Sequence, residues 1–164
     1  MVKSTFNCGI GELVIIAQGA QLVYCNWLSP ECAPKLNRIL KKLAPDPTDD
    51  EIRVIQEALI QLKAYFAGQL MEFNLPACLD GTPFQQSVWR AMTKIGYGQT
   101  ASYSDLAKEI GKPKALRAVA AACGANPIGV IIPCHRVVAK NGIGGYTGGL
   151  EKKKFLLALE KNPQ

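Results

Sequence analysis

The sequence predicts an α/β chain in two parts. A small mixed α/β unit over residues 1–81 precedes a mainly helical unit over residues 82–164, which carries a helix-turn-helix and a short strand bearing a Cys-His pair. Three observations predict this. Apolar runs Leu13–Ala17 and Leu22–Leu28 flank the turn Gln18-Gly19-Ala20, the pattern of a β-hairpin. Behind them, apolar residues recur at helical spacing after two capping boxes, Thr48-Asp49-Asp50-Glu51 and Thr82-Pro83-Phe84-Gln85. The charge then changes sign: residues 1–82 hold 7 Lys and Arg against 9 Asp and Glu, whereas residues 83–164 hold 12 against 4.

The elements follow in order. After the hairpin, Leu36, Ile39, Leu40 and Leu43 keep helical spacing until Pro45 and Pro47 stop it. The first capping box opens a longer helix with Ile52, Ile55, Leu59, Leu62 and Phe66 as its apolar stripe and Gly68 as its stop. Residues 69–81, with Pro76, Asp80 and Gly81, read as irregular chain or short strand and as the linker between the parts. The second capping box has proline at the first helical position, and its helix buries Phe84, Val88, Met92 and Ile95 before Gly96 and Gly98. Helices over 103–110 and 114–123 are separated by Gly111-Lys112-Pro113. Val130-Ile131-Ile132 reads as a strand leading into Pro133-Cys134-His135-Arg136. Glycines 142, 144, 145, 148 and 149 make a turn before a last helix from Leu150 to about Glu160.

Composition narrows the functional classes. Hydrophobic residues at 48% and charged residues at 20% suit an ordinary globular protein, and no apolar run approaches the length of a membrane span. No secretory leader pattern opens the chain, so an intracellular protein is expected: cytoplasmic in a bacterium or archaeon, nuclear in a eukaryote, not secreted. The six cysteines form no C-x-x-C pair, and the single histidine is His135, so a Cys/His metal site in the first half is excluded and no metal is expected. The basic second half suits a polyanion, because neutralising phosphates releases counterions; lysines that are merely solvated give the same count.

Two constellations carry chemistry. On the second helix of the pair, Leu116, Val119, Ala120 and Cys123 form the expected core face, while Arg117, Ala121 and Gly124, flanked by Ala118 and Ala122, form a second stripe with one long side chain. A helix that reads the major groove carries several polar side chains, and this one does not. It suits close approach in the minor groove, with Arg117 filling the space of an extruded nucleotide; a structural helical hairpin with a solvated arginine is the alternative. The second constellation is Cys134 beside His135. A thiolate is the nucleophilic form of sulfur, and neighbouring side chains on extended backbone diverge, so a bridging water is the natural proton path between them. The imidazole then needs an acid to hold its tautomer, and Glu160 is the candidate among the four acids of the second half.

From Phe84 to Glu160 the chain resembles the O6-alkylguanine-DNA alkyltransferases, the methylated-DNA–protein-cysteine methyltransferases. The resemblance rests on Phe84 with Val88-Trp89, Tyr103, Arg117-Ala118-Val119, Asn126-Pro127, Ile132 through Val138 and Tyr146 through Leu150; Tyr65-Phe66-Ala67-Gly68 is the best match in the first half. It implies that Cys134 accepts an alkyl group from O6 of guanine, or O4 of thymine, in double-stranded DNA, irreversibly and once per molecule. It further implies His135 as base through water, Glu160 as its orienting acid, Tyr103 as donor to guanine N3 and Asn126 as brace of the cysteine turn. Arg117 becomes the finger that replaces the flipped nucleotide, with Ala118, Ala121 and Gly124 on the DNA-facing helix surface. Val137 gives a backbone contact to the exocyclic amine, Thr147 a backbone donor near O6, and Tyr146 an aromatic wall. A monomer without cofactor is expected. Gly129 stands where some relatives have proline and Cys123 where some have methionine, which leaves the alkyl size open. A binding-only relative would lack the acceptor cysteine, and a cysteine hydrolase would turn over.

Overall fold

The computed structural model describes residues 1–42 and 46–161, so Leu43 and Pro45, expected to extend and end the first helix, lie outside the described residues. Strands β1 (Val2–Asn7), β2 (Glu12–Gln18) and β3 (Gln21–Trp27) form one antiparallel sheet in the order β1-β2-β3. The turn at Gly19 is where the hairpin was expected, and Gly19 takes a left-handed φ of 57°. β1 was not anticipated. Its Val-Lys-Ser-Thr-Phe-Asn run alternates partly buried and exposed residues, but with only two large apolar side chains the alternation is faint. Leu28 falls outside β3 and is exposed.

β2 is apolar at every central position because both faces of the sheet are covered. Leu13, Ile15 and Ala17 join the main core, whereas Val14 and Ile16 pack with Tyr24 and Leu36 of helix α1 (Ala33–Leu40). Helix α2 (Asp49–Phe66) starts at the capping box, with both reciprocal hydrogen bonds formed. Its buried face is Val54, Ile55, Ala58, Leu62 and Tyr65, rotated from the expected stripe, so that Ile52 is exposed. A stripe read from large apolar residues alone overlooks Ala58, whose small side chain is what allows close packing.

Helix α3 (Pro83–Thr93), strand β4 (Ala101–Ser102), helix α4 (Tyr103–Glu109) and helix α5 (Leu116–Gly124) build the second half. α3 again starts with a complete capping box. Strand β5 (Val137–Val138) pairs in parallel with β4, and helix α6 (Leu150–Lys161) closes the chain. The main core runs without a break from Leu13 to Leu156 and draws on both halves. The join also involves main chain. The expected linker docks on the open edge of β3, where Leu22 N–H donates to Pro76 at 2.7 Å and Cys78 N–H to Leu22 at 2.8 Å. Further along that edge, Cys25 N–H donates to Pro127 of the second half at 3.0 Å. Among the described residues no helix is long and apolar enough to cross a membrane.

Candidate active site

Residues 126–133 decide where Cys134 points. Val130-Ile131-Ile132 is not the expected strand. It is a tight turn with Val130 at a left-handed φ of 69°, strained for a β-branched residue and costing on the order of 1–3 kcal/mol. Buried Asn126 spans that turn, donating from Nδ2 to Ile132 O at 2.8 Å and accepting from Ile128 N–H at 3.0 Å. The Cys-His pair likewise sits on a 3-10 turn, Cys134–Arg136, rather than on a strand, and β5 begins only at Val137. The apolar run misled because it is a largely buried turn, closed by the Asn126 side chain on Ile132 O and by the Ile132 N–H on Ile128 O instead of by a sheet. Gly129 packs against Asn26 of β3, where a larger residue would collide.

Behind the cysteine lies a sealed ionic network. His135 Nε2 stands 2.7 Å from Glu160 Oε1, and both side chains are fully buried. The same carboxylate accepts from Arg136 Nε at 2.9 Å, Arg136 Nη2 at 3.0 Å, the Tyr65 hydroxyl at 2.6 Å and Gly98 N–H at 3.2 Å. Burial alone would raise the Glu160 carboxyl, but these donors outweigh it and bring it to about 2. An ionised carboxylate only accepts, so Nε2 must carry hydrogen and the neutral ring presents its Nδ1 lone pair. Nδ1 is buried and has no hydrogen-bond partner among the described residues. Burial lowers the imidazole pKa despite Glu160, which keeps the ring a neutral base.

In front of the cysteine opens a cavity of about 620 Å³, walled by Tyr103, Cys123, Gly124, Tyr146 and Thr147 with Cys134 at its base. Tyr146 is fixed from the first half, its hydroxyl accepting from Trp27 Nε1 at 3.0 Å. Thr147 Oγ1 donates to Gly124 O at 3.0 Å, tying the glycine-rich turn to α5. Val137 is wholly buried and outside the cavity wall; its carbonyl already accepts from Lys153 Nζ at 2.6 Å. Burial raises the Cys134 thiol, with the Asn126 side chain and the Lys153 ammonium pulling the other way, so the sulfur needs a base to ionise. Burial and neighbouring Cys123 raise the Tyr103 hydroxyl, which therefore stays protonated as a donor.

On α5 the structure leaves Arg117, Ala118, Ala121 and Gly124 exposed on one surface. The core face differs from the expected one. Ala122 is buried, its carbonyl accepting from Trp89 Nε1 at 2.8 Å, and Leu116 is exposed. Counting i, i+3, i+4, i+7 from the first residue fails at that residue, since Val119 and Cys123 of the same set are buried.

Sequence reading missed four supporting side chains: Tyr65, Trp27, Arg136 and Lys153. Tyr65 and Trp27 lie far from the motif in the chain. Arg136 was quoted as part of the motif but given no role. The signal for Lys153 was a lone position in Lys152-Lys153-Lys154, whose middle member is fully buried with its ammonium on Val137 O and Gly145 O. No residue pattern separates it from its solvated neighbours.

The site thus brings together a thiol on the wall of a cavity, an acid-tethered histidine next to it in the chain and a helical pair whose second helix exposes a small-residue face. The comparisons with known proteins make this specific. The chain belongs to the 6-O-methylguanine DNA methyltransferase family: the family's ribonuclease-like domain matches residues 1–79 and its DNA-binding domain residues 83–162. It is 41% identical over 162 residues to the methylated-DNA–protein-cysteine methyltransferase of Methanosarcina acetivorans, covering 98% of each chain. The crystal structure of Mycobacterium tuberculosis O6-methylguanine methyltransferase, 41% identical, superposes with a TM-score of 0.84 over 99% of this chain and 93% of that one. A structure of Mycobacterium tuberculosis OGT in complex with DNA matches at 41% identity and a TM-score of 0.81, covering 96% and 91%.

Proposed function

We propose that this protein repairs double-stranded DNA by direct reversal, moving a methyl or other alkyl group from O6 of guanine, and from O4 of thymine, onto Cys134. The observation that carries the reading is the fixed tautomer of His135. Glu160 holds Nε2–H, leaving a buried, unpartnered, basic Nδ1 on the residue that follows the cysteine in the chain. A water between the two relays the thiol proton to Nδ1, and the thiolate attacks the alkyl carbon in line with the C–O6 bond. That bond breaks with its electrons going to guanine, while Tyr103 donates to N3 of the leaving base. The proton on His135 balances the one the base requires. No acyl carbon is involved, so no oxyanion hole is needed.

The product is a thioether. Thiolate is a poor leaving group from an alkyl carbon, so each molecule acts once. Asn126 braces the turn, and Tyr146 and Thr147 wall the pocket, while a contact from the Val137 carbonyl to the exocyclic amine requires the bound base to reach past the present cavity wall. Arg117, with Ala118, Ala121 and Gly124 close to the minor groove, takes the place of the flipped nucleotide. The first part, residues 1–81, supports the second, 82–164, and the protein acts as a monomer without metal or cofactor.

Mass spectrometry of the protein mixed with a duplex containing O6-methylguanine tests this. One added methyl on Cys134, stoichiometric with the protein consumed, is expected. Repeated turnover, or methyl on another cysteine, overturns the mechanism.

A further inference from the structure

Leu116, the first residue of α5, is left without a partner by the packing that helical spacing had assigned it. It is 45% exposed, although Val119 and Cys123 of the same expected face are buried. Its N-cap, Ala115, makes no side-chain capping bond, so nothing local accounts for a large residue there. A side chain at the first helical position leans toward the helix N-terminus.

Two features set this residue apart from an ordinary surface leucine. The first is its setting. Lys108, Lys112, Lys114 and Arg117 surround it in the chain, all are exposed, and among the described residues none has an ion-pair partner. Ile60, the more exposed apolar residue on α2, instead sits one turn from Glu57 and from Lys63, a mixed and solvated surface. The second feature is reach. On the exposed surface of α5, Ala118, Ala121 and Gly124 present at most a methyl group, and only Leu116 and Arg117 project farther. A helix that small residues allow deep into a groove would drive a leucine against the groove floor, unless the leucine enters between base pairs. Minor-groove proteins use apolar wedges of this kind, with cations on the flanking phosphates.

We propose that Leu116 is an apolar wedge that enters the duplex base stack next to Arg117, holding open the step from which the nucleotide is extruded. The inference rests on the reading of α5 as the minor-groove helix. Arg117 fills the place of the lost nucleotide, and Leu116 packs on the adjacent base pair, replacing one stacked face. Its contribution comes from keeping the gap open and involves no contact with the alkyl group.

The test compares Leu116→Ala, Leu116→Met and Arg117→Ala with the parent protein. The readouts are the rate of methyl transfer from a duplex divided by that from free O6-alkylguanine base, and the fluorescence of 2-aminopurine placed beside the lesion. Leu116→Ala should lower the rate ratio by about tenfold and reduce the unstacking signal, and Leu116→Met should restore both, since methionine also serves as a wedge. If Leu116→Ala leaves the ratio and the fluorescence at parental values while Arg117→Ala lowers them, the wedge is overturned and the minor-groove reading stands. If Leu116→Ala slows both substrates equally, Leu116 is structural and the wedge is overturned. If neither variant changes the ratio, nucleotide extrusion by α5 falls with it.

Discussion

The two sides of Cys134 are built by opposite means. Behind it, one carboxylate collects five donors from four residues, and of their side-chain polar atoms only His135 Nδ1 is left without a partner among the described residues. In front, most residues of the cavity wall and of the exposed surface of α5 are small, with Tyr103, Tyr146 and Glu31 at the cavity and Arg117 and Leu116 on the helix as the long side chains. The reactive side gains its properties from groups that are present and fixed. The recognition side gains its properties from side chains that are small, so that another molecule can supply the atoms. Loss of a polar group should therefore be severe behind the cysteine and graded in front of it.

The largest effect is expected from Glu160→Gln. It leaves the Arg136 guanidinium buried without its counter-charge and sets an amide N–H against other donors. Stability should fall by about 3–5 kcal/mol and the transfer rate by about 10²–10⁴-fold. Urea unfolding and single-turnover kinetics check the pair of values, and parental behaviour in both would remove the contrast between the two sides.

Next comes salt. If Lys108, Lys112 and Lys114 each neutralise one phosphate, affinity for undamaged duplex should fall about fortyfold between about 50 and about 200 mM salt. A flat titration would show that the charge of the second half plays no part in binding.

Acid should act on the sealed side in two stages, and the signs agree. The depressed His135 stays neutral in the fold while the unfolded imidazole takes up a proton, so stability falls as pH drops below about 6.5. The depressed Glu160 contributes fully above about 4.5, and its contribution is lost as pH falls toward about 2. Unfolding followed across that range, with His135→Gln as comparison, should lose only the first stage in the variant.

The smallest effect is expected from Tyr65→Phe, which removes one of five donors from a carboxylate that keeps the other four. About 1–2 kcal/mol of stability and a few-fold in rate should go. A loss as large as that of Glu160→Gln would mean that the first half is part of the catalytic machinery as well as its support.

The sequence disclosed what is local. Capping boxes placed the starts of α2 and α3, and the Cys-His pair and the small stripe of α5 were visible as patterns within single segments, whereas Glu160 was one candidate among four acids until the resemblance singled it out. What stayed hidden depends on contacts across the chain. Trp27 and Tyr65 reach the site over long separations, and nothing near them in sequence marks the bond each makes. The turn before Cys134 was misread because burial on both sides makes a braced loop and a strand look alike in apolar content. Leu116 was misread for the converse reason: periodicity assumes that a helix is packed from its first residue, and α5 is packed only from Val119 onward.

The convergence of five donors on Glu160 also has a genetic consequence. Tyr65, Gly98, His135 and Arg136 are scattered over more than seventy positions, yet each meets the others through that one carboxylate. Inherited changes at any of them should produce losses of one kind though of different size, a carboxylate short of a partner or a partner short of a carboxylate. Combining two such changes should add little to either alone. In a population survey these alleles would form a single phenotypic class, unrelated by sequence distance and recognisable by their mutual epistasis.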